Sequence, residues 1–261
     1  MIGFFIKKAF FDGWDNLLHI VVLNVLILTV AFGGFFIAGF TAEIVPLSMA
    51  LLFVTVMIEG VFLLAISSMM AKIVDYRSFT FRDFISEIGK IWKHGALFGA
   101  LIAVLAFVFS VTLPYYLSLG NMIGFALAML LFWVGIILLL SLQWFLPIRS
   151  QLDDNFMKCI KKSFIIFFDN SLFSIFMLIY SLVLFVLSLF LVMLVPGFTG
   201  ILLAHNEAFR LRMYKYDWME KNTDLDPVKA RKSIPWEELL EDDEDTVGHR
   251  SFKSFIFPWK D

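Results

Sequence analysis

The placement of Lys and Arg constrains this chain more than any other feature. Long apolar runs fill most of residues 17–209. Three gaps between the runs, Thr41–Glu43, Pro114–Asn121 and Val195–Gly200, hold no Lys or Arg. Every basic residue lies at the N-terminus, in the alternate gaps or in the C-terminal tail. Basic residues are retained on the cytoplasmic side of a membrane. The alternation therefore predicts an all-α, polytopic transmembrane helical bundle in the inner (plasma) membrane, with both termini in the cytoplasm.

Composition agrees. Hydrophobic residues make up 60% of the chain and Phe alone supplies 32 residues, far above soluble usage. A soluble domain of 261 residues buries a large core, but it has no room for this many apolar runs. The net charge of −2 is split: residues 214–261 carry eight basic and twelve acidic side chains, so the tail is acidic and the remainder mildly basic. Neither part has the clustered basic footprint of a nucleic-acid binder. The expected surroundings are the lipid bilayer, with a membrane-protein or cytoplasmic partner reached through the tail.

Spanning a bilayer takes about 20 apolar residues in a helix. Six segments are predicted: Leu17–Phe40, Ile44–Ala71, Gly95–Leu117, Met122–Ile148, Ser171–Leu194 and Phe198–Leu211. They form a membrane domain over 1–213, and 214–261 is the tail. Lys7 and Lys8 before the first run resemble a signal peptide, but the run is 24 residues long and no cleavage site follows, so a retained helix is expected. Pro196-Gly197 argues for a turn between the last two segments. The sixth is short and polar, and is expected to lie partly sunk at the cytoplasmic interface.

Residues 6–18, IKKAFFDGWDNLL, and 160–172, IKKSFIIFFDNSL, are identical at seven of thirteen positions, and both precede a spanning run. Phe84–His94 is a fainter third copy before the third span. This suggests three parallel units, each an amphipathic interfacial helix followed by a transmembrane hairpin. In each unit the lysines suit an anionic inner leaflet. Asp15-Asn16 and Asp169-Asn170 are predicted to cap the following helix. Mitochondrial carriers also have three parallel hairpins, but their Pro-x-Asp/Glu-x-x-Lys/Arg signature is absent.

Polar residues inside the apolar runs are the site candidates. Glu59 is the sharpest, because an ionised carboxylate in a membrane is costly and faces a bundle interior or a pathway. It reads either as a proton- or cation-responsive group or as a hydrogen-bonded lock between helices. No Lys or Arg lies at its depth, which leaves Asn24, Gln143 and His205 as partners. His205-Asn206-Glu207 reads as a cytoplasmic vestibule or, preferably, as a helix becoming polar at its end. His19 is expected at the interface. Gly95 and Gly99 form a GxxxG that lets another helix approach closely. Pro114-Tyr115-Tyr116 is expected to form an outer turn in an aromatic belt.

No HExxH, GxSxG, Walker or dinucleotide motif is present, and His19, His94, His205 and His249 make no metal set. The single cysteine, Cys159, forms no intrachain disulfide or thiolate site and is expected as a cytoplasmic free thiol. No catalytic residue, metal or cofactor is expected. In the tail, Ser233 or Pro235 is predicted to start a short helix with Trp236, Leu239 and Leu240 on its apolar face. Phe252, Phe255, Ile256, Phe257 and Trp259 are candidates for docking on a partner, on the protein itself or at the interface.

The opening KKAFFDGWDNLLHIVVLNVLIL, the outer turns and the paired amphipathic helices resemble the YesL-like family of bacterial membrane proteins, over roughly residues 5–215. The resemblance implies an integral inner-membrane protein, in some cases linked with carbohydrate uptake systems, and supplies no catalytic residues. The expected function is a non-enzymatic accessory or assembly component of a membrane complex. The alternative is a small-solute or ion transporter with Glu59 in the pathway.

Overall fold

A computed structural model describes residues 1–152, 155–222 and 234–247. It is an all-α bundle. In chain order the helices are α1 (Ile2–Asp15), α2 (Leu17–Phe40), α3 (Val45–Val74), α4 (Phe81–Ser118), α5 (Met122–Leu142), α6 (Phe145–Leu152), α7 (Phe156–Asp169), α8 (Ser171–Phe190), α9 (Gly197–Lys221) and α10 (Trp236–Val247). Among the described residues five stretches are long and apolar enough to cross a membrane: α2, α3, α4, Met122–Leu152 and α8. Their outer faces present side chains such as Phe35, Phe36, Ile123 and Leu172, each more than 60% exposed. In water such a surface would aggregate; in a bilayer it meets lipid. The chain is an integral membrane protein.

Several helix limits differ from those read in the sequence. The fourth run does not continue unbroken to Ile148: α5 ends at Leu142 and α6 begins at Phe145. Pro147 accounts for the break, since a proline ring meets the carbonyl four residues back, here that of Gln143. Pro114 forms no turn but lies inside α4, which runs on to Ser118. It falls in the last turns of a 38-residue helix, where losing one backbone bond is tolerated. Phe84–His94 is not a separate helix either, because α4 passes through it without interruption. A capping box starts α4: Thr80 Oγ1 accepts from the Asp83 N–H, and Asp83 Oδ2 accepts from the Thr80 N–H at 2.8 Å.

By contrast α1 and α7 are each 14 residues long, end on Asp, and are separated from the next helix by one Asn. Neither Asn16 nor Asn170 caps the helix that follows. Asn16 Nδ2 donates backward to the Asp12 carbonyl at 2.9 Å, and Asn170 Nδ2 to that of Ile166 at 3.2 Å. The amide side chain closes the helix behind it instead, the local competition that makes Asn a breaker of helices.

The tightest packing joins α3 and α4. A Cβ on Gly60 would run into the backbone of Gly95 and Gly99, and one on Gly99 into Val56 and Met57. Small residues let these two helices meet backbone to backbone. At the centre stands α9, 25 residues and about 37 Å long at 1.5 Å per residue. It continues beyond Leu211 and past the expected domain limit at residue 213. Its buried residues face α1, α2, α3, α6 and α8. Gly197 opens it at φ +60°, and a Cβ there would clash with the Asn24 amide. Only glycine meets both demands.

Candidate functional site

Most polar chemistry gathers at the end of the bundle that carries Lys and Arg. Lys8, Glu207 and the α1 backbone define its centre. Lys8 is 1% exposed and Glu207 2%. Lys8 Nζ lies 2.9 Å from Glu207 Oε1 and 2.5 Å from Asp12 Oδ2. It also sits 4.2 Å from the centre of the Tyr76 ring. Lys8 is therefore not a lipid-facing residue. Phe5, Lys8 and Ala9 share one helical face, and that face packs into the core. Burial alone would lower the Lys8 pKa, but the Glu207 and Asp12 carboxylates outweigh it and raise it above 10.5. Burial, with the Asp243 carboxylate beside it, pushes the Tyr76 phenol up.

A second layer ties α10 to this centre. Asp243 is buried and accepts from Tyr76 Oη at 2.9 Å, Tyr214 Oη at 3.0 Å and Arg210 Nη2 at 3.4 Å. Arg210 Nη1 also donates to the Val74 carbonyl at 2.6 Å and to Asp75 at 2.7 Å. Leu240 and Val247 are buried on the same side of α10. The helix starts at Trp236, and its apolar face is Leu240 with half-buried Trp236 and Leu239. The predicted docking residues Phe252, Phe255, Ile256, Phe257 and Trp259 lie outside the described residues.

A third cluster holds the α7–α8 break against α9. Lys215 Nζ reaches Asp169 Oδ2 at 2.7 Å and Asn170 Oδ1 at 2.9 Å. Tyr216 Oη donates to Asp169 Oδ2 at 2.9 Å and lies 2.7 Å from Asn170 Nδ2. The Arg212 guanidinium lies 4.0 Å from the Phe173 ring and 5.2 Å from that of Trp236. Burial pulls its pKa down to about 10.

The residues singled out in the sequence do not form one site. Asn24 pins the turn before α9: its Nδ2 donates to the Leu194 and Pro196 carbonyls at 2.9 Å each, and its Oδ1 accepts from the Thr199 N–H at 2.9 Å. Asn206 donates to Ser67 Oγ at 3.0 Å and accepts from Gln151 Nε2 at 3.0 Å, joining α9, α3 and α6. Glu207 pairs with Lys8. His205-Asn206-Glu207 thus lines no open vestibule, and α9 does not end there but runs on to Lys221 with all three residues buried mid-helix. Glu59 takes none of its three expected partners. Neither of its carboxylate oxygens has a hydrogen-bond partner among the described residues.

Gln143 and His205 do come together, at the wall of a cavity of 540 Å³ between α4, α5, α8 and α9. Trp144 beside them donates from Nε1 to Ser174 Oγ at 2.9 Å. His19 is exposed and contacts the Phe79 ring at 4.8 Å between centroids. Cys159 is buried and forms no disulfide. Among the described residues no three His, Cys, Asp or Glu side chains could hold a metal ion. Comparison with protein-family models, with curated proteins and with solved structures returned no match.

Proposed function

We propose that this membrane protein is a non-enzymatic accessory or assembly component of a membrane complex, held in a bacterial inner membrane with both termini in the cytoplasm. The orientation rests on the Lys and Arg residues, which are missing from the turns at 41–44, 119–121 and 191–196. α9 returns from the turn at 191–196 toward α1, where Glu207 meets Lys8, which supports one side for both termini. The resemblance to the YesL-like family supports the same placement.

The observation that carries the reading is α10. One face of it is anchored by Leu240, Asp243 and Val247, while Glu237, Glu238, Glu241, Asp242, Glu244 and Asp245 are exposed. The helix thus presents an acidic surface next to the membrane, where anionic lipid repels it. Such a surface suits a basic patch on a partner protein, which it would steer by charge. The test is in-cell crosslinking and mild-detergent purification of the full chain beside a Glu238→Lys/Glu241→Lys/Asp245→Lys variant. A defined partner lost from the variant is the expected result. One lone species from both chains would remove the basis for an accessory role.

The second reading, transport of a small solute or ion, has one observation of its own: the unpartnered Glu59 carboxylate in α3. Unchanged flux or unchanged phenotype in Glu59→Gln would discard it.

A further inference from the structure

We propose that a second cavity, at the Lys- and Arg-bearing end between α3, α4, α6 and α9, binds a small zwitterion of the α-amino acid type. Its volume is 320 Å³, at the lower edge of the roughly 300–1,000 Å³ of ligand pockets. That suits a molecule smaller than a nucleotide or a lipid. Ser68 and Lys72 of α3, Glu87 of α4, and Ser150 and Gln151 of α6 line it. Unlike the cavity beside Gln143, this one is walled chiefly by polar residues.

The α6 side of the cavity offers acceptors. Asn206 Nδ2 donates to the Leu202 carbonyl at 2.8 Å and to Ser67 Oγ at 3.0 Å. Those bonds fix the Asn206 amide and leave its Oδ1 to face Gln151. Gln151 Nε2 then donates to Asn206 Oδ1 and to the Asn206 carbonyl, both at 3.0 Å. Gln151 Oε1 is therefore the atom left over. It has no partner among the described residues and, unlike Gln143 Oε1, it keeps accessible surface. Ser68 and Ser150 direct their protons to the Leu64 and Leu146 carbonyls, at 3.2 and 2.7 Å. What these hydroxyls present to the cavity is lone pairs.

The charges of the lining balance. Lys72 and Arg77 stand against Asp75 and Glu87. Arg77 is engaged with Asp75, and Asp75 also with Arg210 at 2.7 Å. Lys72 is half-buried and makes no hydrogen bond or ion pair among the described residues. Glu87 Oε2 meets Lys90 at the long distance of 3.5 Å, and Glu87 Oε1 has no partner among the described residues. A simple anion would answer Lys72 but meet Glu87 and the row of acceptors. A simple cation would answer Glu87 but meet Lys72. A neutral polyol supplies donors to Gln151 and the hydroxyls but no charge for Lys72. A zwitterion answers both sides, with its acid group at Lys72 and its ammonium toward Glu87 and Gln151 Oε1. Leu152 and Met213 give the cavity an apolar edge for a small side chain.

The test dialyses the full chain in mild detergent against an equimolar mixture of the standard L-amino acids, and mass spectrometry reads which are retained. At least one should be. Its methyl ester lacks the acid charge and its N-acetyl derivative lacks the ammonium, and each should bind about tenfold more weakly. Lys72→Gln should weaken the parent amino acid about tenfold and leave the methyl ester unchanged. Glu87→Gln should weaken the parent and leave the N-acetyl derivative unchanged. If the wild type retains no amino acid, the proposal is overturned. A methyl ester or N-acetyl derivative held as tightly as the parent would overturn it too, and neither comparison needs a variant to fold. So would parent binding that both substitutions leave intact. The inference stands apart from the accessory reading, since neither the amino acids nor these variants touch α10.

Discussion

The two ends of the bundle are held by different physics. At the Lys- and Arg-bearing end, directional contacts tie α1, α7, α9 and α10 to one another: Lys8 to Glu207, Lys215 to Asp169, and Arg210 to Asp75 and Asp243. The opposite end has no Lys or Arg and so no ion pairs. There the tips are closed by short local bonds, such as Asn121 Oδ1 accepting from the Gly124 N–H at 2.7 Å and Ser48 Oγ donating to the Ala38 carbonyl at 2.9 Å. In lipid, apolar helices gain little by leaving one another's solvent, so close packing and polar bonds decide their arrangement. One end is specified by named partners, the other by shape and by the bilayer.

The sharpest way to break that contrast is Lys8→Met. It leaves Glu207 buried without its cation, and breaking a buried pair costs about 3–5 kcal/mol. Unfolding in mixed micelles, followed by circular dichroism, should show the loss, and Lys8→Met/Glu207→Leu should recover most of it. If Lys8→Met alone is neutral, the polar end is not what specifies the fold. The pH dependence has a definite sign. The folded pKa of Lys8 is raised, so its contribution is complete below 10.5 and is lost only as pH climbs past the raised value. Titration of Lys8 itself should therefore add no trend to midpoints measured between pH 7 and 9.

Next in size is the Asn24 latch. Asn24→Leu strips two carbonyls and one N–H of their partner, which should cost about 1–3 kcal/mol. Gly197→Ala adds a Cβ at φ +60° against that same amide and should cost about 1–2 kcal/mol or more. Thermal midpoints of the two variants and their combination check this. A combined effect well below the sum is expected, because both disturb one contact. A smaller effect belongs to Asp243→Asn. Partly exposed partners weaken its bonds, so about 1 kcal/mol is expected. Hydrogen exchange should show α10 released with the global transition unmoved. If the whole bundle loosens, α10 is part of the lock rather than mounted on it.

The sequence made the apolar helices legible, together with the turn at Pro196-Gly197 and the close approach at Gly95 and Gly99. Their signals are local: length, apolarity, and residues that permit one backbone geometry. What stayed hidden depended on which faces meet. Lys7 and Lys8 look alike in a string, yet only Lys8 shares a face with Phe5 and Ala9. That spacing is the clue in the string, since it puts Lys8 one turn from Phe5 on the face that packs into the core. Pro147 likewise marked the break after Leu142, four residues beyond the carbonyl it disturbs. Asn16 and Asn170 offered two roles of similar energy, and only the bend between the helices selects the backward bond. Gln143 and His205 lie 62 positions apart in the chain, and no periodicity places them on one cavity wall.

The smallest effect tests the other side of the comparison. Phe36 is 67% exposed near the Lys- and Arg-free end of α2 and touches Phe40 ring to ring at 4.6 Å. If lipid alone covers it, Phe36→Leu exchanges one apolar contact with acyl chains for another. The expected change is within about 0.5 kcal/mol, in detergent and in bilayers alike. Ile123→Leu on α5, 73% exposed, should behave the same way. A loss near 2 kcal/mol in bilayers but not in detergent would mean that these faces meet another protein chain in the membrane. That end would then be specified by a partner, in the way the opposite end is specified by its own ion pairs. Equal small changes in both media would leave shape and lipid as its only determinants.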